Sequence, residues 1–120
     1  MENEPNKPRI VGFVYDVAVA VLMNSIVTKM GYTLRVDSTS AEAIQHVNEA
    51  DIVISDVSYG GYAVYNAARA SQKPVIMIDG GFLELDRTPD AIIIPKPFER
   101  SALEEAIRKC AEGLKSDKQQ

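Results

Sequence analysis

Five short apolar runs, separated by segments with helical periodicity, dominate this chain of 120 residues. The runs are rich in Val and Ile and cover residues 9–15, 32–36, 51–55, 74–78 and 91–94. Four of them show too little polar alternation for a strand with one solvated face, so we expect strands covered on both faces. Regular alternation of such strands with helices predicts an α/β fold, in which a parallel sheet carries helices on both sides.

The segments between the runs carry helix start signals. Thr39 followed by Glu42 forms a candidate capping box, and Ser101 followed by Glu104 forms a second. From Ser101 onward the apolar residues repeat with a period of about 3.6, which predicts an amphipathic final helix. Only 11 residues separate Asp79 from the fifth run. That interval is too short for a full helix and two turns, so we expect the fourth helix to be shortened or missing.

The chain length favours one domain. We predict a disordered polar tail at residues 1–8, a domain over residues 9–114 and a second polar tail at residues 115–120. The N-terminus lacks the hydrophobic segment of a signal peptide, and the longest uninterrupted apolar run, Val17–Met23, is too short to span a bilayer. The lone Cys110 cannot form an intramolecular disulfide and fits a reducing compartment. We therefore expect a cytoplasmic protein without membrane contact.

Charge and residue types exclude several functions. The chain has 13 Lys and Arg against 17 Asp and Glu, a net charge of −4, which argues against nucleic-acid binding. The lone His46 is predicted to face solvent, and Cys110 is predicted to lie on the buried stripe of the last helix. No pattern of His, Ser or Cys supplies a general base, so we do not expect an enzyme.

Charged residues stand where the predicted strands end. In a doubly wound sheet, functional side chains lie beyond the carboxyl ends of the strands. Asp16, Asp56, Asp79 and Lys96 follow the first, third, fourth and fifth strands. Three carboxylates and one ammonium suit a divalent cation and a phosphoryl group, although each Asp alone could instead cap the next helix. Asp37, which follows the second strand, is expected to be a turn or cap residue.

The runs DIVISD, PVIMIDG and AIIIPKPF resemble the third, fourth and fifth strands of receiver domains of two-component response regulators, the CheY-like fold. The resemblance covers roughly residues 8–112 and implies a doubly wound parallel sheet with strand order 2-1-3-4-5. Its most specific element is the pair Lys96-Pro97, because receivers commonly place a cis peptide there. The resemblance implies that Asp56 accepts a phosphoryl group, that Lys96 contacts it, and that the Ser58 carbonyl helps to hold Mg²⁺.

Several positions depart from the receiver pattern. The acidic pair that binds the metal in receivers falls on Val14 and Tyr15, so of that pair only one carboxylate, Asp16 after a shift of one residue, could join Asp56 and the Ser58 carbonyl as metal ligands. We therefore expect a weak or absent Mg²⁺ site. The switch hydroxyl at the end of the fourth strand is replaced by Asp79, which cannot donate a hydrogen bond unless protonated. The switch aromatic of receivers is replaced by Ile93.

The first helix segment is apolar on all sides for two turns, whereas a two-layer domain buries only one stripe of such a helix. One explanation is deep packing between strands and neighbouring helices. The other is an exposed patch around Val17 and Val21 that docks a partner protein or forms a homodimer.

Two functions remain open from the sequence. The first is a stand-alone atypical receiver domain in a phosphorelay, with Asp56 as the candidate phosphoacceptor. Because no effector segment follows residue 114, such a domain is expected to act by contacting signalling proteins, among them a histidine kinase. The second is a sensor for a small ligand such as a flavin or nucleotide on the same fold. The glycine pairs at residues 60–61 and 80–81 lack the spacing of nucleotide-binding loops.

Overall fold

The five apolar runs form the five strands of one parallel sheet. A computed structural model describes residues 8–57, 60–80, 88 and 90–119, with side chains to residue 114. The strand order is β2-β1-β3-β4-β5 and every pairing is parallel, so the predicted fold class and strand order are confirmed. The strands are β1 (Arg9–Phe13), β2 (Thr33–Asp37), β3 (Ile52–Asp56), β4 (Val75–Asp79) and β5 (Ile92–Pro95).

Helices connect the strands and cover both faces of the sheet. The described α-helices are α1 (Val17–Lys29), α2 (Ser40–His46), α3 (Gly61–Ala70) and α4 (Arg100–Gln119), with a 3₁₀ turn at Val47–Glu49. Helices α1 and α4 pack on one face, while α2 and α3 pack on the other. In β3, Ile52 and Ile54 belong to the first core and Val53 to the second, which explains why three successive residues of this strand are apolar.

One predicted boundary differs from the structure, and other predictions fall on residues that the structure does not describe. Helix α4 continues to Gln119, so the expected tail at residues 115–120 belongs to the helix through residue 119. This stretch contains neither Gly nor Pro, the residues that commonly end helices. Residues 1–7 of the tail expected at residues 1–8 lie outside the described residues, and Pro8 is described and buried. Residues 81–87 and 89, where we expected a shortened or missing helix between β4 and β5, also lie outside the described residues.

One of the two predicted capping boxes is confirmed at its cap residue. The Oγ1 atom of Thr39 accepts a hydrogen bond from the backbone N–H of Glu42 at 3.2 Å, at the start of α2.

The cap predicted at Ser101 is wrong. Helix α4 already begins at Arg100, and the carbonyl of Glu99 accepts from the N–H of Leu103 at 3.3 Å. Glu104 contacts Arg100 Nε at 3.2 Å, an ion pair one helical turn apart that supports this earlier start.

Cys110 lies on the buried stripe of α4, as predicted. Burial raises the pKa of its thiol from 9.0 to about 11. Because the folded value is the higher one, this thiol stabilises the fold fully below pH 9.0, and the contribution is lost as the pH rises toward about 11.

We expect urea unfolding to show lower stability at alkaline pH than at neutral pH. The Cys110→Ala variant should lack the part of this loss of stability that comes from ionisation of the thiol. An equal loss of stability in both proteins would contradict the assignment to Cys110.

No helix in the described part of the chain is both long and apolar enough to cross a membrane.

Candidate functional site

Asp56 and Lys96 meet at the carboxyl ends of the strands. Asp56 is the last residue of β3 and its side chain is only 4% exposed. Lys96 follows β5 directly, and its Nζ atom donates to Asp56 Oδ2 at 2.9 Å. A buried carboxylate is costly without a charged or hydrogen-bonding partner, and Lys96 supplies one. The sequence placed both residues at the edge of the sheet formed by the carboxyl ends of the strands, which we call the rim. They are in direct contact there.

The backbone holds Lys96 in place beside β4. Its N–H donates to the carbonyl of Asp79 at 2.8 Å, one position beyond the paired residues Asp79 and Pro95. The Lys96-Pro97 peptide bond is cis, as the resemblance to receivers implied. The Lys96 side chain is 27% exposed, so its ammonium reaches a buried partner and also remains accessible from solvent.

The two predicted switch positions lie on β4 and β5. Asp79 ends β4 and is half-buried at the same rim as Asp56. Ile93 pairs with Met77 and packs partly buried on the core that contains α2 and α3. Their roles in switching stay predictions.

Asp16 serves as the N-cap of α1. Its Oδ1 atom accepts hydrogen bonds from the N–H groups of Ala18 at 2.8 Å and Val19 at 3.4 Å. This is the capping alternative that the sequence left open for each strand-terminal Asp. Val14, at one of the acidic positions of receivers, is buried in the core.

The described residues offer few ligands for Mg²⁺. Within residues 8–57, 60–80, 88 and 90–119, no group of three or more His, Cys, Asp or Glu side chains could hold a metal ion. Ser58, whose carbonyl was expected to bind the metal, lies outside the described residues. Asp16 caps α1 and Asp56 contacts Lys96, so these two carboxylates fit Mg²⁺ poorly as ligands. The weak or absent Mg²⁺ site stays a prediction.

Close packing fixes the backbone behind Asp56. The hydroxyl of the buried Ser55 donates to the Asp56 carbonyl at 3.2 Å and lies 3.4 Å from the Gly61 carbonyl. Gly60 begins the turn into α3 with φ of +85°, which favours glycine. Gly61 lies directly against Asp56, and a Cβ atom there would overlap the Asp56 carbonyl oxygen. The sequence did not indicate this contact.

Asp37 and His46 form a second polar contact, which the sequence did not indicate. Asp37 is not a turn or cap residue: it ends β2, and its side chain is only 5% exposed. Its Oδ2 atom lies 3.1 Å from His46 Nδ1, and its Oδ1 atom lies 3.3 Å from Arg35 Nε. The prediction that His46 faces solvent is therefore also wrong, since the buried carboxylate holds the ring against the sheet.

Val17 and Val21, the predicted interface residues, lie on the surface, 76% and 65% exposed. Deep packing of the whole first helix is thereby excluded.

Known structures share this fold. No family model and no curated protein matches the sequence. A CheY-like response regulator receiver domain protein from Methanospirillum hungatei superposes with a TM-score of 0.81 at 18% identity, over 92% of this chain and 98% of that one. A response regulator receiver protein from Sinorhizobium medicae gives 0.80 at 24% identity, over 88% and 95% of the two chains.

A third similar structure is the signal receiver domain of a diguanylate cyclase. The receiver domain of a modulated diguanylate cyclase from Desulfovibrio desulfuricans superposes with a TM-score of 0.77 at 17% identity, over 92% of this chain and 98% of that one. Identities this low establish shared architecture rather than shared activity. The chain has the fold of a CheY-like receiver domain.

Proposed function

We propose that this chain is an atypical receiver module in signal transduction, in which Asp56 accepts a phosphoryl group. The observation that carries the proposal is the contact between Lys96 Nζ and Asp56 Oδ2, at 2.9 Å, on the functional rim of a receiver fold. A carboxylate oxygen is a competent acceptor for phosphoryl transfer, and an adjacent ammonium neutralises charge on the incoming group.

The atoms of the transfer come from the carboxylate and a phosphodonor. An Asp56 oxygen attacks the donor phosphorus, the new O–P bond forms, and the bond from phosphorus to the leaving group breaks with its electron pair on that group. The product is an acyl phosphate on Asp56. Lys96, which already touches this carboxylate, is placed to move onto the phosphoryl oxygens. Because the described donor set fits Mg²⁺ poorly, no step is assigned to a metal.

Asp79 makes this module atypical. At a partly exposed site two unit charges ~4 Å apart repel by about 4 kcal/mol, so an ionised carboxylate beside the rim opposes a phosphoryl dianion. It also cannot supply the hydrogen bond that a hydroxyl would donate. We therefore propose that the acyl phosphate forms with low occupancy and that the output is contact with signalling proteins, with a histidine kinase as the phosphodonor, in the cytoplasm.

The test is intact mass spectrometry after incubation with acetyl phosphate, with Mg²⁺ and with a chelator. We expect a gain of one phosphoryl group in the wild type and none in Asp56→Asn. Asp79→Thr restores a hydroxyl donor and should raise the occupancy. If the wild type gains no mass under any condition, or if Asp56→Asn gains it equally, Asp56 is not a phosphoacceptor.

Asp16→Asn is a matched variant for the metal question. Asparagine caps a helix about as well as aspartate, so the fold should be retained while the carboxylate is lost. Unchanged occupancy with Mg²⁺ would identify Asp16 as a cap alone. A fall seen only with Mg²⁺ would assign it to the metal.

A further inference from the structure

The N-terminal half of α1 and the edge strand β2 present a continuous apolar surface. It comprises Tyr15, Val17, Val21 and Val36, which line one groove and are 64%, 76%, 65% and 37% exposed, and we call it the α1–β2 face. These side chains expose roughly 500 Å² of apolar surface, which is toward the upper end for a monomer.

Helix α1 carries no charge over most of its length. From Val17 to Thr28 it has no Asp, Glu, Lys or Arg, and Lys29 is its first charged residue. A surface helix of a soluble domain normally directs charged residues outward. Helix α4 follows that rule with Arg100, Glu104 and Arg108. The outward side of the first two turns of α1 is therefore suited to exclusion from water, whereas Asn24 and Thr28 are exposed polar residues of the later turns.

A groove joins the helix to the edge of the sheet. It has a volume of about 680 Å³ and runs between α1 and β2, with Ala20 and Leu34 among its lining residues. Among the described strands β2 pairs only with β1, so its outer edge is available to another chain. The charged residues of the groove, Arg35, Asp37 and Glu42, lie outside α1, and Arg35 Nε is 3.3 Å from Asp37 Oδ1.

We propose that the α1–β2 face is the interface of a symmetric homodimer. Two copies that bury this face against each other remove roughly 1,000 Å² of apolar surface, about where specific interfaces begin. A chain with net charge −4 repels its own copies elsewhere, so an uncharged face is where two copies approach at least cost. A two-fold contact would bring the same groove of both copies together.

Sedimentation velocity from low micromolar to submillimolar protein tests this proposal, which does not depend on phosphorylation. We expect the wild type to dimerise and Val21→Glu to weaken the dimer by about tenfold or more, because the interface would bury an unpaired charge. Ile44→Glu is the matched control, since Ile44 is an exposed apolar residue of α2 outside the face. Circular dichroism melting should show that both variants remain folded.

Disulfide trapping gives an independent measurement. In a two-fold interface a residue near the axis meets its own counterpart. Val21, at the middle of the face, should therefore form covalent dimers as Val21→Cys under mild oxidation, whereas Ile44→Cys should not. The native Cys110 is buried and does not compete.

Three results overturn the proposal, and the first two are a wild type that stays monomeric throughout this range and a dimer that Val21→Glu leaves intact. A monomer that instead captures a different protein on this face also overturns it.

Discussion

Replacement of Lys96 by methionine is expected to destabilise the protein by about 1–3 kcal/mol, because a buried carboxylate then loses its charged partner. The Asp56 side chain is 4% exposed and Lys96 Nζ lies 2.9 Å from it. Methionine keeps much of the aliphatic stem of lysine and removes only the ammonium. The measurement is the free energy of unfolding from urea titration monitored by circular dichroism.

A double-mutant cycle shows whether the cost belongs to this pair. In the Asp56→Asn background the acceptor is neutral, so Lys96→Met should cost no more than about 0.5 kcal/mol. Lys109→Met, at an exposed position of α4, is a control for loss of a lysine as such. Equal costs of Lys96→Met in the two backgrounds would show that the Asp56–Lys96 pair is not the source of the effect.

The sheet and the Asp56–Lys96 pair could be predicted from the sequence because both follow from chain geometry. Strands covered on both faces need apolar residues on both, and β3 shows that pattern in Ile52, Val53 and Ile54, ahead of the buried Ser55 and Asp56. Parallel strands bring their carboxyl ends to one rim, so residues 56 and 96 meet although 40 positions separate them. Neither argument requires knowledge of individual side-chain contacts.

The contact between Asp37 and His46 could not be predicted in this way. It joins the end of β2 to the end of α2, and the two side chains meet only once α2 packs on the sheet. An isolated histidine on a short helix reads as solvated when only helical periodicity is considered. The predicted start of α4 was too late because it too was judged without knowledge of a side-chain contact. Arg100 and Glu104 form an ion pair that supports a first turn beginning before Ser101.

The composition of α1 could not show whether the outer side of this helix is exposed. An all-apolar segment fits both a deeply packed helix and a docking surface. The outcome depends on what covers the outer side of the helix. In the described chain α4 packs beside α1, and Val17 and Val21 point away from the core.

Gly61→Ala is expected to lower the stability of the protein more than the addition of one methyl group usually does. The new Cβ would overlap the carbonyl oxygen of Asp56 and lie 3.1 Å from its carbonyl carbon. These are backbone atoms at the end of a fully buried strand, so they cannot move aside as a flexible side chain would. Overpacking of this kind costs about 1–3 kcal/mol and occasionally more, and we expect the upper part of that range. Urea unfolding measures the loss.

The same substitution should also impair the site, because the backbone atoms that must shift belong to Asp56 itself. Under conditions where Gly61→Ala remains folded, we expect it to accept less phosphate from acetyl phosphate than the wild type, as measured by intact mass. Gly113→Ala is the matched control, since a Cβ at Gly113 of α4 meets nothing within 4 Å. It should stabilise the helix by about 0.5–1 kcal/mol and leave phosphorylation unchanged. If Gly61→Ala were as stable as Gly113→Ala, the contact between α3 and the Asp56 backbone would not constrain this rim.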